Sequence, residues 1–139
     1  MKLVTFTVAE ANKALVDIRP RVERLVKAKY EFDRQQTRIE VLKLAVAGAT
    51  QDNPDSRELR QLHDRRNRVA ESISKEIAAV HAHGCLVKDL DRGLVDFHAL
   101  AGDRLVFLCW KLGEEDVSHW HPLDGGFSSR QQLHQGELE

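Results

Sequence analysis

The hydrophobic period of this chain changes once, at Gly84, and that change limits the fold more than any other feature. Before it, apolar residues recur in steps of three, four or seven: Ala11, Leu15, Ile18, Val22, Leu25, Phe32, Ile39, Val46. After it, they alternate. A period near 3.5 buries one stripe of a helix, and a period of two sorts side chains onto the two faces of a strand. The chain therefore reads as α+β, with a helical region over 1–83 and a small antiparallel sheet with a polar tail over 84–139.

The first helix has a defined start. Thr7-Val8-Ala9-Glu10 is a capping box, with Phe6 available as a hydrophobic staple. Pro20 lacks a backbone donor and clashes with the carbonyl four residues back, which predicts a kink or break near residues 17–20. The helix is expected to end near Ala47, capped by Gly48. Residues 49–56 form a turn, and Asp55 to Glu58 gives a second capping-box pattern. Leu59, Leu62, Val69, Ile73, Ile77 and Val80 then mark a second helix ending at His83, with Gly84 as its cap. Lys29, Gln36 and Lys43 interrupt the first seam, which suits an antiparallel helical hairpin better than a long parallel coiled coil. The first run spans about 60 Å at 1.5 Å per residue and the second about 39 Å. Roughly the first dozen helical residues then overhang. Residues 8–19 are expected on the sheet, with 21–47 and 57–83 as a projecting hairpin.

Strands are expected at 85–88, 93–98, 104–112 and 117–121, joined by short turns that favour an antiparallel meander of three to four strands. In the third strand Leu105, Phe107 and Cys109 oppose Val106, Leu108 and Trp110, so both faces are apolar. Residues 8–19 cover only one of them. The tail around Phe127 covers part of the other, and a second copy of the chain is the remaining cover, which predicts a homodimer. The tail is expected to fray after Leu133.

No apolar run opens the chain, and no window approaches the ~20 apolar residues of a membrane span. Cys85 and Cys109 lack any C-x-x-C spacing and read as buried reduced thiols. These features point to a cytoplasmic protein without a membrane partner. Twenty-one Lys and Arg balance 22 Asp and Glu, so no net basic charge exists to hold nucleic acid. Arg57, Arg60, Arg65, Arg66 and Arg68 are interleaved with Glu58, Asp64 and Glu71, as on a solvated helix face.

The second half carries a recognisable run, Gly84-Cys85-Leu86-Val87-Lys88-Asp89-Leu90-Asp91-Arg92-Gly93-Leu94-Val95-Asp96-Phe97. Val106-Phe107-Leu108-Cys109-Trp110-Lys111-Leu112-Gly113-Glu114, His119-Trp120-His121, Gly126-Phe127 and Arg130-Gln131 follow. With Phe6-Thr7-Val8-Ala9-Glu10-Ala11-Asn12 and Arg19-Pro20, the chain resembles an uncharacterised bacterial family, domain of unknown function 2203. That family usually shows Pro after the Asp-Phe pair, where this chain has His98. The resemblance implies a small cytosolic protein and carries no activity with it.

Strand alternation sorts the candidate chemistry. Leu94, Asp96 and His98 share one face of the second strand, and His119 and His121 share a face of the fourth. An H-x-H pair aims two imidazoles the same way, a half-site for a divalent metal such as zinc, iron or manganese. Asp96 or His98 is placed to supply a third ligand if the faces coincide. The bland alternative is two partly exposed histidines flanking an anchoring Trp120. Lys88, Asp89, Asp91 and Asp96 suggest a nuclease-like set, but Lys111 lacks the acidic partner such sites use, and Asp89 and Asp91 also suit the cap of a hairpin turn. No phosphate loop, nucleophile elbow or H-E-x-x-H is present. The leading functional expectation is a non-catalytic interaction or scaffold module, with a protein partner along the helical hairpin. The alternative is a metal-dependent, hydrolase-like enzyme using His119, His121, Asp96 and His98.

Overall fold

The computed structural model describes residues 3–134 and 138. Helices α1 (Val8–Ala45) and α2 (Pro54–His81) precede strands β1 (Leu86–Asp89), β2 (Leu94–Ala101), β3 (Arg104–Lys111), β4 (His119–Pro122) and β5 (Gln131–Gln132). The strands form one antiparallel sheet in the order β1-β2-β3-β4-β5, a meander of five strands rather than three to four. The fifth comes from the tail, whose Gln131 and Gln132 pair with Trp120 and His119. The expected fraying after Leu133 falls on residues 135–137 and 139, outside the described residues.

Both ends of α1 follow from the sequence. Thr7 N–H donates to Glu10 Oε1 at 3.0 Å and Glu10 N–H to Thr7 Oγ1 at 3.1 Å, the two bonds of the capping box. Gly48, at φ +77, turns the chain out of the helix. Of the expected kink or break at Pro20, the break does not occur, because α1 is continuous through it. Pro20 and Val16 are both exposed, so water can take the Val16 carbonyl that proline leaves without a donor. The α2 cap also differs from expectation. Asn53 Oδ1 accepts from Asp55 N–H at 2.8 Å and Pro54 opens the helix, so the cap lies two residues before Asp55.

The chain divides into two compact units: one holds the chain up to Val26 and from Glu76 onward, and the other is Lys27–Lys75. The second unit is a pair of helical segments with one shared seam. Only Ile39 and Leu42 are buried there, since a two-helix layer leaves most of its stripe half-exposed. Three of its arginines are engaged locally: Arg38 donates to Glu58 at 2.8 Å, Arg66 to Gln36 at 2.8 Å, and Arg60 to the Gln51 carbonyl at 3.2 Å.

The first unit holds the main core. Val95, Phe97 and Ala99 of β2 and Val106, Leu108 and Trp110 of β3 share the face toward the start of α1, where Ala11, Leu15, Ile18 and Val22 are buried. Phe6 meets Phe97 edge-on at 5.1 Å, and its N–H donates to the His98 carbonyl beyond the end of β1. The Arg19 guanidinium lies over the Trp110 ring at 5.3 Å. The start of α1 therefore covers the sheet, and the unit that holds the sheet runs to Val26 and takes in the chain from Glu76, beyond the expected limits of residues 19 and 83.

Gly93 makes the β1–β2 turn at φ +75, and any Cβ there would meet Leu112 at 2.8 Å and Val22 at 3.0 Å. Asp89 Oδ1 accepts the Asp91 and Arg92 N–H groups at 2.8 and 2.9 Å, the turn-capping role read from sequence.

Both thiols are free and buried. Burial pushes Cys85 up to about 12 from an ordinary value near 9. Below the ordinary value, folded and unfolded chains both keep the proton. Above it, the unfolded chain loses the proton first, so stability falls by up to about 1.4 kcal/mol per pH unit as pH rises toward the folded value. Denaturant titrations of wild type and Cys85→Ala are expected to diverge in slope by that amount between pH 9 and 12. Parallel slopes would contradict it.

Candidate metal centre

Hairpin register builds the site. The Gly102-Asp103 turn pairs Ala101 with Arg104, and counting back along both strands sets Asp96 opposite Cys109. Gly102 supplies the positive φ (+67) that such a two-residue turn requires. On the other side of β3, Phe107 pairs with His121 and Cys109 with His119. Asp96, Cys109 and His121 thus come to one face from three adjacent strands. Their side-chain ligand atoms all lie within 4.8 Å of one another, and all three residues are buried.

The β3–β4 connection is too long to fix its own register, and α1 pins it. Arg19 donates to the carbonyls of Glu114 and Glu115 at 3.1 and 2.6 Å, and Asn12 Oδ1 accepts from Val117 N–H at 2.7 Å. Trp110 Nε1–H donates to the Glu114 carbonyl at 3.0 Å. The Glu114 carboxylate takes Lys111 N–H at 2.7 Å and Arg130 at 2.6 Å. Arg130 also reaches the Cys109 carbonyl at 3.3 Å. The tail is thereby tied to β3 over the site. Phe107 and Cys109 are buried within one chain.

The polar geometry at the centre is unusual. His121 Nδ1 lies 2.8 Å from the Pro122 carbonyl, which can only accept, so the proton of the neutral ring sits on Nδ1. Nε2 then accepts in the neutral ring and donates in the imidazolium, and it faces Asp96 Oδ2 at 3.1 Å, in a pair whose side chains are each 4% exposed. Two acceptors at that distance need a proton or a cation between them. Asp96 Oδ1 is buried with no hydrogen-bond partner. The Cys109 thiol beside it is pushed up to about 12, first by burial and then by the Asp96 charge. A thiol held neutral in this way is no nucleophile, so a Cys-His hydrolytic dyad does not fit the arrangement.

Of the four residues singled out from sequence, Asp96 and His121 enter this cluster. His119 lies on the same strand, but its Nδ1 is 2.9 Å from Ser118 Oγ and 3.3 Å from Glu114 Oε2. His98 packs against Phe107 at 4.6 Å between ring centroids, and Phe107 stands between it and His121 in the sheet. Burial lowers the His98 pKa, Lys88 lowers it further, and Asp96 opposes both. Cys109, read as an inert thiol, is the residue that sequence reasoning missed. Its signal was the two-residue turn, which sets it across from Asp96.

A family model described as an uncharacterised conserved protein, domain of unknown function 2203, matches residues 4–133. The chain belongs to that family. In this family member the matched span takes in the whole cluster, together with Asn12, Arg19 and Arg130, which position it. No curated protein and no solved structure matches the chain. Among the described residues, no helix is long and apolar enough to cross a membrane.

Proposed function

We propose that this chain is a metal-binding domain, in which Asp96, Cys109 and His121 hold one divalent cation with a fourth position open. The observation that supports this reading is the buried contact of His121 Nε2 with Asp96 Oδ2 at 3.1 Å, beside a second carboxylate oxygen that is buried with no hydrogen-bond partner. A cation resolves all of it at once. The Nδ1–H bond to a backbone carbonyl is also the usual outer partner of a metal-bound imidazole. One sulfur, one nitrogen and one oxygen favour zinc over the harder manganese. Ligand atoms around tetrahedral zinc stand roughly 3.5 Å apart, and the three ligand atoms here all lie within 4.8 Å of one another. Three protein ligands with a vacant position suit water activation, the chemistry of a metal-dependent hydrolase.

The scaffold reading draws on the helical segment Lys27–Lys75, but a scaffold gives no reason for an unpartnered carboxylate oxygen in the core. Zinc added to chelator-treated protein and then dialysed is expected to remain at one equivalent per chain by elemental analysis. A hundredfold excess over the dissociation constant would stabilise the fold by about 2.7 kcal/mol. Folded protein that retains only trace metal would end the proposal.

A further inference from the structure

We infer that the open position of this centre takes the oxyanion head of a small molecule, a phosphate or a carboxylate, held from the side by Lys88 and Arg92. The inference rests on the metal reading above and names its ligand. A cavity of about 260 Å³ touches Asp96, Cys109 and His121 at its floor and Lys88, Arg92 and Phe127 at its walls. Both cations are held by aromatic faces rather than by carboxylates. The Lys88 ammonium lies over Phe107 at 4.9 Å, and the Arg92 guanidinium lies over Phe127 at 4.7 Å. A ring face orients a cation but accepts few of its N–H bonds, so these donors stay available.

Among the described residues, neither Lys88 nor Arg92 makes an ion pair. The other acid in the lining, Asp89, gives its Oδ1 to two backbone N–H groups of the turn. Arg130 also lies over Phe127, at 5.1 Å, but it is committed to Glu114.

Charge then decides the ligand. A bound dication neutralises the Asp96 carboxylate and the Cys109 thiolate, and Asp89 then offsets only one of the two charges of Lys88 and Arg92. An anion balances the other, and planar or tetrahedral oxygens match the Arg92 fork. The volume falls just below the ~300–1,000 Å³ of sites for drug-sized ligands, so the head of a small metabolite fits and a polymer does not.

The test uses the full chain loaded with cobalt in place of zinc, whose visible absorption reports exchange at the fourth position. Inorganic phosphate and acetate are titrated separately. At least one is expected to shift the spectrum saturably. Its apparent affinity is expected to fall by about a hundredfold or more in Lys88→Gln/Arg92→Gln, each of the two lost charge-assisted bonds being worth about tenfold or more. Which anion binds assigns the head group. Cobalt bound at one per chain with a spectrum indifferent to both anions overturns this inference and leaves the metal reading standing. So does equal affinity in the double variant. Failure to load cobalt or zinc at all removes both.

Discussion

Cys109→Ala is expected to lower zinc affinity by roughly a hundredfold or more while the protein stays folded. Structural zinc binding amounts to about 10–16 kcal/mol over four ligands, or about 3 kcal/mol for each, and a thiolate is among the strongest contributors. Cys109 is 1% exposed, so its removal leaves a small cavity, but a single thiol is a short side chain and the cost is on the order of 1 kcal/mol. Affinity and stability therefore separate in this variant. Competition against a chromophoric chelator measures the first, and circular dichroism with denaturant measures the second. Cobalt-loaded wild type should also show thiolate-to-metal charge transfer that is missing from the variant. His119→Ala and His98→Ala give the contrast. His119 faces Glu114 and His98 packs on Phe107, so both variants are expected to retain wild-type zinc affinity. Loss of metal in His119→Ala with retention in Cys109→Ala would restore the H-x-H half-site and discard the buried cluster.

The sequence disclosed most of the fold because its signals were local. The capping box at Thr7, the glycine turns and the change of period at Gly84 each act over a few residues, and each forms as read. Pro20 did not break α1, because the penalty of an interior proline depends on whether water reaches the freed carbonyl, and exposure is a tertiary property. Half of the site was equally local. The turn at Gly102-Asp103 fixes Asp96 against Cys109 by counting alone. The other half was not. His121 reaches the cluster because Asn12, Arg19 and Trp110 hold the loop 113–118 from a distance of up to 105 residues along the chain. Nothing in the spacing of His119 and His121 says which of them meets Asp96. The β3–β4 register decides that, with Glu114 turning His119 aside.

The same pair of acceptors makes a second prediction, in the opposite sense. Asp96→Asn is expected to abolish zinc binding at stoichiometric concentrations and yet to stabilise the metal-free protein by about 1–3 kcal/mol. The carboxylate accepts on both oxygens, and where no proton or cation lies between them it faces a neutral imidazole nitrogen that also accepts, 3.1 Å away, with both side chains 4% exposed. An asparagine of the same shape turns its NH₂ group toward His121 Nε2 and keeps an oxygen beside the Cys109 thiol, so the two facing acceptors become a donor and an acceptor. It also removes a buried charge, which in general costs more in desolvation than its partners return. Groups kept for a ligand rather than for the fold show this signature, because their arrangement is poor until the ligand arrives. Urea unfolding in the presence of a chelator reads the effect directly. If Asp96 and His121 instead form an ordinary buried ion pair, the same substitution strands a charged imidazole. It would then destabilise the protein by about 3–5 kcal/mol. The sign of one measured difference thus separates a cation site from a structural salt bridge.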